Sequence, residues 1–234
     1  MKRLSNDIFA VSLFFSAILL VSLSFPRFIA AIKSNYSNAV YESLLYAEPP
    51  ENELLVKAKS SAEEALAWNN DSLYWLQIGH FLQTLVYSDQ YEDDEYLAMN
   101  IIADKANQKS LALSVVEPYV WYRLAINRFI IDAKDPEIVN LLKLSFYTGR
   151  VEPNLFLLRL GFLSRYVESI DNELMRLVED QIRLAWVLKK HQLVTAVIST
   201  PVLKPLVYNA LSPDDILDFN LRLDKAIKKN NKSK

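Results

Sequence analysis

The hydrophobic positions of the chain form one unbroken block followed by a succession of periodic stripes. Residues 8–25 pass without a charge, and Pro26-Arg27 closes the run. Eighteen such residues are just enough to cross a bilayer as a helix. Phe28-Ile29-Ala30-Ala31-Ile32 carries the apolar character on to Lys33. A signal peptide usually has a shorter apolar core, and Ser22-Leu23-Ser24 is a poor cleavage site, so an uncleaved anchor is expected. Lys2 and Arg3 precede the block, while Arg27 and Lys33 follow it. The bias is slight and favours a cytoplasmic N-terminus, which in a Gram-negative cell puts the main domain in the periplasm.

Beyond the block the periodicity is helical. Residues 35–47 read as a short amphipathic helix broken by Glu48-Pro49-Pro50. Residues 53–68 place Leu54, Leu55, Ala58, Ala62, Ala65 and Leu66 on one side, and the alanines predict a close helix contact. Asn69-Asn70-Asp71-Ser72 is a turn with good capping residues. In the helix predicted over 73–87, Trp75, Ile78, Gly79 and Leu82 follow the W-x2-L-G-x2-Y spacing of a tetratricopeptide first helix, with Gly79 letting the paired helix approach. An acidic insertion, 88–95, separates it from a partner over 96–113.

Glu117-Pro118-Tyr119-Val120-Trp121 opens the next helix and has an echo 35 residues on, at Glu152-Pro153-Asn154-Leu155-Phe156. Proline suits the first helical position, where its missing N–H costs nothing. Asp135-Pro136 starts the intervening helix, and Gly149 is expected to stop it as a left-handed residue. Residues 173–190 predict a long helix whose closing Lys189, Lys190 and His191 complement its dipole. Ser212-Pro213 starts a last, lysine-ended helix, with serine as cap. The fold class predicted is all-α: an N-terminal transmembrane helix followed by a tetratricopeptide-like α-helical hairpin stack. The organisation predicted is 1–33 cytoplasmic N-terminus and anchor, 34–200 helical domain, 201–234 capping helix and basic tail.

Composition narrows the function classes. There are no cysteines, which excludes disulfides, thiolate metal sites and a cysteine nucleophile. With only Gly79, Gly149 and Gly161, no glycine-rich phosphate loop is possible. A formal net charge of -2 does not favour nucleic acid as a partner. His80 and His191 lack ligand-spaced companions, and Asp89 to Glu95 lacks the alternation of a calcium loop. Asp132 with Asp135, and Asp214 with Asp215, flank turns or helix starts, where acids cap. No catalytic, metal or cofactor-binding residue is therefore assigned. On the first helices of the hairpins, Leu73, Leu76, His80, Gln83, Tyr119, Tyr122 and Ile126 are candidates for a partner-binding groove, with Trp75, Tyr119 and Tyr122 as alternative sugar-stacking faces.

The order of features resembles the VpsP-type polysaccharide biosynthesis proteins. The shared elements are a short N-terminal span, an alanine-rich helix ending near Asn69-Asn70-Asp71 with Tyr74-Trp75 following, Trp121 after its proline, and Gly149-Arg150-Val151-Glu152-Pro153 leading to Arg159-Leu160-Gly161-Phe162. Arg150 stands where that family usually has a proline, and Tyr166 lies near the place of its later tryptophan. The resemblance implies a non-catalytic inner-membrane accessory protein of exopolysaccharide or biofilm-matrix synthesis, with protein partners in the assembly machinery. Alternatives are a periplasmic module that binds the polysaccharide itself, a glycan-processing enzyme, or a repeat scaffold of another secretion or division system.

Overall fold

The computed structural model describes residues 2–46, 50–86, 93–165 and 170–232. Most of the acidic insertion and Tyr166 lie outside the described residues. Among the described residues the chain is all-α, with twelve α-helices and no strand. Its first helix contains an apolar stretch, Ser12–Lys33, long and apolar enough to cross a membrane. The chain divides after Val115 into two compact units.

The first unit holds α1 (Lys2–Lys33), α2 (Asn35–Tyr46), α3 (Asn52–Leu66), α4 (Ser72–Val86) and α5 (Asp93–Leu113). The predicted alanine ridge of α3 is fully buried. Ala65 shares a core cluster with Ala30 and Tyr74, Ala62 with Ile78, Leu82, Ala103 and Ala106, and Ala58 with Phe81 and Leu85. Small side chains on one ridge thus admit helices from both flanks. Gly79 does the same on α4: a Cβ there would lie 2.5 Å from Asn107 Oδ1 on α5.

The junction of α1 and α2 has an identifiable cause. In an unbroken helix the Ser37 N–H would donate to the Lys33 carbonyl four residues back. Instead Ser61 Oγ of α3 stands between them, donating to Lys33 O at 2.6 Å and accepting from Ser37 N at 3.2 Å. A side chain inserted into the hydrogen-bond ladder kinks a helix. The neighbouring bonds persist, Ser34 N to Ala30 O and Asn38 N to Ser34 O, so no linker separates the two helices. Ser37 Oγ donates to Gln77 Oε1 and Gln77 Nε2 to Asn38 Oδ1, tying α2 to α4.

The second unit holds α6 (Pro118–Ile131), α7 (Glu137–Thr148), α8 (Pro153–Leu163), α9 (Asn172–Leu188), α10 (Lys190–Ser199), a 3-10 turn (Pro201–Leu203), α11 (Lys204–Ala210) and α12 (Pro213–Lys232). Both echoed prolines open their helices as predicted. Helices α6 and α8 run side by side in parallel. Tyr119 Oη donates to Glu152 Oε1, Tyr122 Oη to Leu158 O, and Phe162 packs edge-on against Tyr122 and Phe129. Successive hairpins, α6/α7 and α8/α9, therefore stack through their first helices.

Two local expectations need correction. Gly149 has φ -146, which is not left-handed. Glycine is required there for space, because a Cβ would lie 2.5 Å from Pro118 Cβ. Lys190 and His191 do not end α9; the chain breaks at Lys189 and they begin α10. Lys190 is held by Asp218 at 3.2 Å and lies over the Trp186 ring. Ser212 caps α12 as expected, accepting from Asp215 N and donating to its carboxylate.

Candidate functional site in the second unit

Arg159 sits six residues into α8, on the same face as Phe156, Leu160 and Leu163, and is fully buried. Its guanidinium is caged by neutral oxygens. Nε donates to Ser145 Oγ at 3.1 Å, and Nη1 to Gly149 O at 3.0 Å and Gln181 Oε1 at 2.7 Å. Nη2 donates to Ser145 Oγ at 2.9 Å and also to Ser145 O. The head lies over the Phe146 ring, 4.7 Å from its centre. Burial lowers its pKa from the ordinary arginine range to about 10, against the attraction of Glu152, so the group stays charged at neutral pH. The carbonyls of Ser145 and Gly149 belong to the C-terminal end of α7, the negative pole of its dipole, which favours a cation. Ser145 Oγ donates in turn to Pro118 O at 2.7 Å. One side chain thus joins the start of α6, the end of α7, α8 and α9.

Beside the cage a shallow groove of about 190 Å³ runs between α7 and α9, lined by Phe146, Tyr147, Arg150, Leu177, Asp180, Gln181 and Leu184. Gln181 is the shared wall. Arg150 and Asp180 pair across the groove at 3.1 Å, with the Arg150 side chain largely exposed. Tyr147, more than half exposed, donates to Glu173 Oε1. Lys143 bridges Asp171 and Glu173, at 2.6 Å to each. Hydrogen bonding by these partners lowers both carboxyls and raises Lys143 and Tyr147. Asp171 also accepts the Leu174 N–H as the cap of α9, the first cause of its lowering. Each group is thereby moved further from neutral pH. The groove thus combines apolar walls, Phe146, Leu177 and Leu184, with the paired charges of Arg150 and Asp180.

The seven predicted groove residues divide between the units. In α4, Leu73 is exposed, His80 is half-buried with its ring edge-on to Tyr41, and Leu76 and Gln83 are buried. In α6, Tyr119 and Ile126 are half-buried and Tyr122 is buried. Leu76, Gln83 and Tyr122 are thus packing residues, because their face of each helix meets the neighbouring helices. Trp75 is half-buried; its indole N–H donates to Asn70 Oδ1, and Lys109 covers its ring at 4.1 Å. Sequence reasoning did not assign Arg159, Ser145, Gln181 or Tyr147 to a site. The available signal was Arg159 itself, a charge at a core position of an apolar stripe. Compared with protein-family models and with curated proteins, the chain matches none.

Proposed function

We propose that the protein is a membrane-anchored, non-catalytic adaptor that holds together components of an exopolysaccharide assembly or export machine, with its helical units on the periplasmic side of a bacterial inner membrane. The observation that carries the adaptor reading is the clamped anchor. Helix α1 enters the first unit without a linker, held by Ala30 in its core, the Lys33–Glu64 pair and the inserted Ser61. A domain so held samples only partners at the membrane, which raises its effective concentration toward them. The second unit offers the Tyr147–Arg150–Asp180 groove as the contact. The polysaccharide context rests on the resemblance alone. Gly149, Glu152, Pro153 and Arg159, which carry the resemblance, all belong to the cage region or its flanking helix start. Sugar stacking is less favoured, since Lys109 already occupies a face of Trp75.

The test is co-purification of the polymerase and copolymerase of the exopolysaccharide machine with the tagged full chain, against a version beginning at Phe25. That version keeps the part of α1 packed in the first unit and lacks the rest. Retention should fall at least tenfold on truncation. Equal retention, or unchanged matrix polysaccharide in a deletion strain, would overturn the reading.

A further inference from the structure

We propose that the first unit rests directly on the bilayer, with the α3–α4 turn and Trp68 in the headgroup layer, and that the membrane span ends at Phe25 instead of continuing to Lys33. This rests on the reading of α1 as a membrane anchor. Helices α1 and α3 are antiparallel. Phe25 packs edge-on against Trp68, ring centres 6.2 Å apart, Ala30 packs against Ala65, and Lys33 pairs with Glu64. The C-terminal end of α3 and the turn after it therefore lie level with Phe25. That turn carries Asn69, Asn70 and Asp71. Polar backbone and side chains of a turn are not tolerated in lipid hydrocarbon. If the span continued to Lys33, the turn would be sunk by eight residues, about 12 Å at 1.5 Å per residue. Ending the span at Phe25 places the turn at the interface.

The chemistry of this end suits a headgroup layer. Trp68 is 46% exposed, and tryptophan is enriched where one side meets lipid and the other water. Leu73 is 41% exposed on the first turn of α4. The end of α5 is brought to the same place, because Ser110 Oγ donates to Ser72 O and Lys109 lies over Trp75. Arg27 and Lys109 supply cations for lipid phosphates, and both are exposed. Asp71 caps α4 through the Leu73 N–H at 3.0 Å, and Glu64 is already paired with Lys33.

The cysteine-free chain allows single spin labels at exposed positions. The full chain would carry Ala67→Cys at the turn, Glu53→Cys at the far end of α3, or Leu20→Cys in the span, in nanodiscs of phosphatidylcholine and phosphatidylglycerol. The readout is relaxation by oxygen, which partitions into lipid, against a water-soluble nickel chelate. The oxygen-to-nickel ratio at residue 67 should be several-fold above that at 53 and below that at 20. Equal, water-like ratios at 67 and 53 with a lipid-like ratio at 20 would overturn this inference alone. A ratio at 67 as lipid-like as at 20 would place the turn within the hydrocarbon and also overturn it. A water-like ratio at 20 would overturn the anchor reading and this inference together.

Discussion

The two units meet the same difficulty, polar groups inside a helical core, with different chemistry. Among the described residues the first unit buries mainly neutral polar groups; its one buried charge, Asp104, accepts from Gln108 Nε2 at 2.6 Å. Ser61 relays one helix bond, Gln77 bridges Ser37 and Asn38, and the amide of Asn107 lies fully buried against Gly79 with no hydrogen bond to its oxygen or nitrogen. The second unit buries two arginines, Arg123 and Arg159, and satisfies the guanidinium of Arg159 with carbonyls, a hydroxyl and an amide. A neutral bridge contributes about 1 kcal/mol net, whereas removing one side of a charged buried network leaves several groups unsatisfied at about 1–3 kcal/mol each. The first unit should therefore tolerate polar truncation, and the second should not.

The largest effect should come from Arg159→Ala. It leaves Ser145, Gly149 and Gln181 without their donor and opens a cavity, costing about 3–5 kcal/mol. Hydrogen exchange on the full chain should show protection lost across α7, α8 and α9. Arg159→Lys should recover only part of this, because one ammonium cannot span all the acceptors. Loss of less than about 1 kcal/mol on Arg159→Ala would remove the contrast between the units. Next comes Gly149→Ala, whose methyl would lie 2.5 Å from Pro118 Cβ; overpacking of this kind costs about 1–3 kcal/mol.

Smaller effects are expected in the first unit. Gly79→Ala alone should destabilise, because its Cβ meets the Asn107 amide. Combined with Asn107→Ala, which removes both the clash and a buried unpartnered amide, the helix preference of alanine should show as a gain of about 1 kcal/mol. A double-mutant cycle by urea unfolding measures the coupling, and strict additivity would count against the assigned contact. Ser61→Ala should cost about 1 kcal/mol, with faster exchange of the Ser37 amide.

The smallest effect is a pH dependence near the start of α9. Asp171 and Glu173 have folded pKa values below their ordinary 3.8 and 4.5. Their contribution is present above the unfolded values and lost as pH falls through the lowered ones. Lys143 is raised above 10.5, so its contribution is full below that value and lost as pH rises through the folded one. Exchange protection of the Leu174 amide, bonded to Asp171, should hold from pH 5 to 9 and fall in acid. Lys143→Met should weaken this acid dependence, and an unchanged profile would sever the link.

Much of the fold was legible because its signals are local. The apolar block, the alanine ridge, the turn at Asn69 to Ser72, and Pro118, Pro153 and Ser212 as starters each act within a turn or two of their own position. The failures share a reason as well. Gly149 reads as a left-handed stop from its place after a helix, but its requirement comes from Pro118, far away in sequence. Leu76, Gln83 and Tyr122 lie on the face counted outward from the tryptophans, yet that face meets other helices.

The sequence by itself determined that the chain is helical, where most helices begin, and that one segment is apolar and long enough to cross a membrane. Backbone hydrogen bonds span four residues and burial follows a 3.6-residue period, so both are written along a short stretch of chain. Only the tertiary structure decided what Arg159 and Ser61 do. Their partners lie 10 to 22 and 24 to 28 residues away, and no local preference signals a bond across that distance. A buried cation and an inserted hydroxyl are favourable only once the surrounding helices have brought their oxygens together.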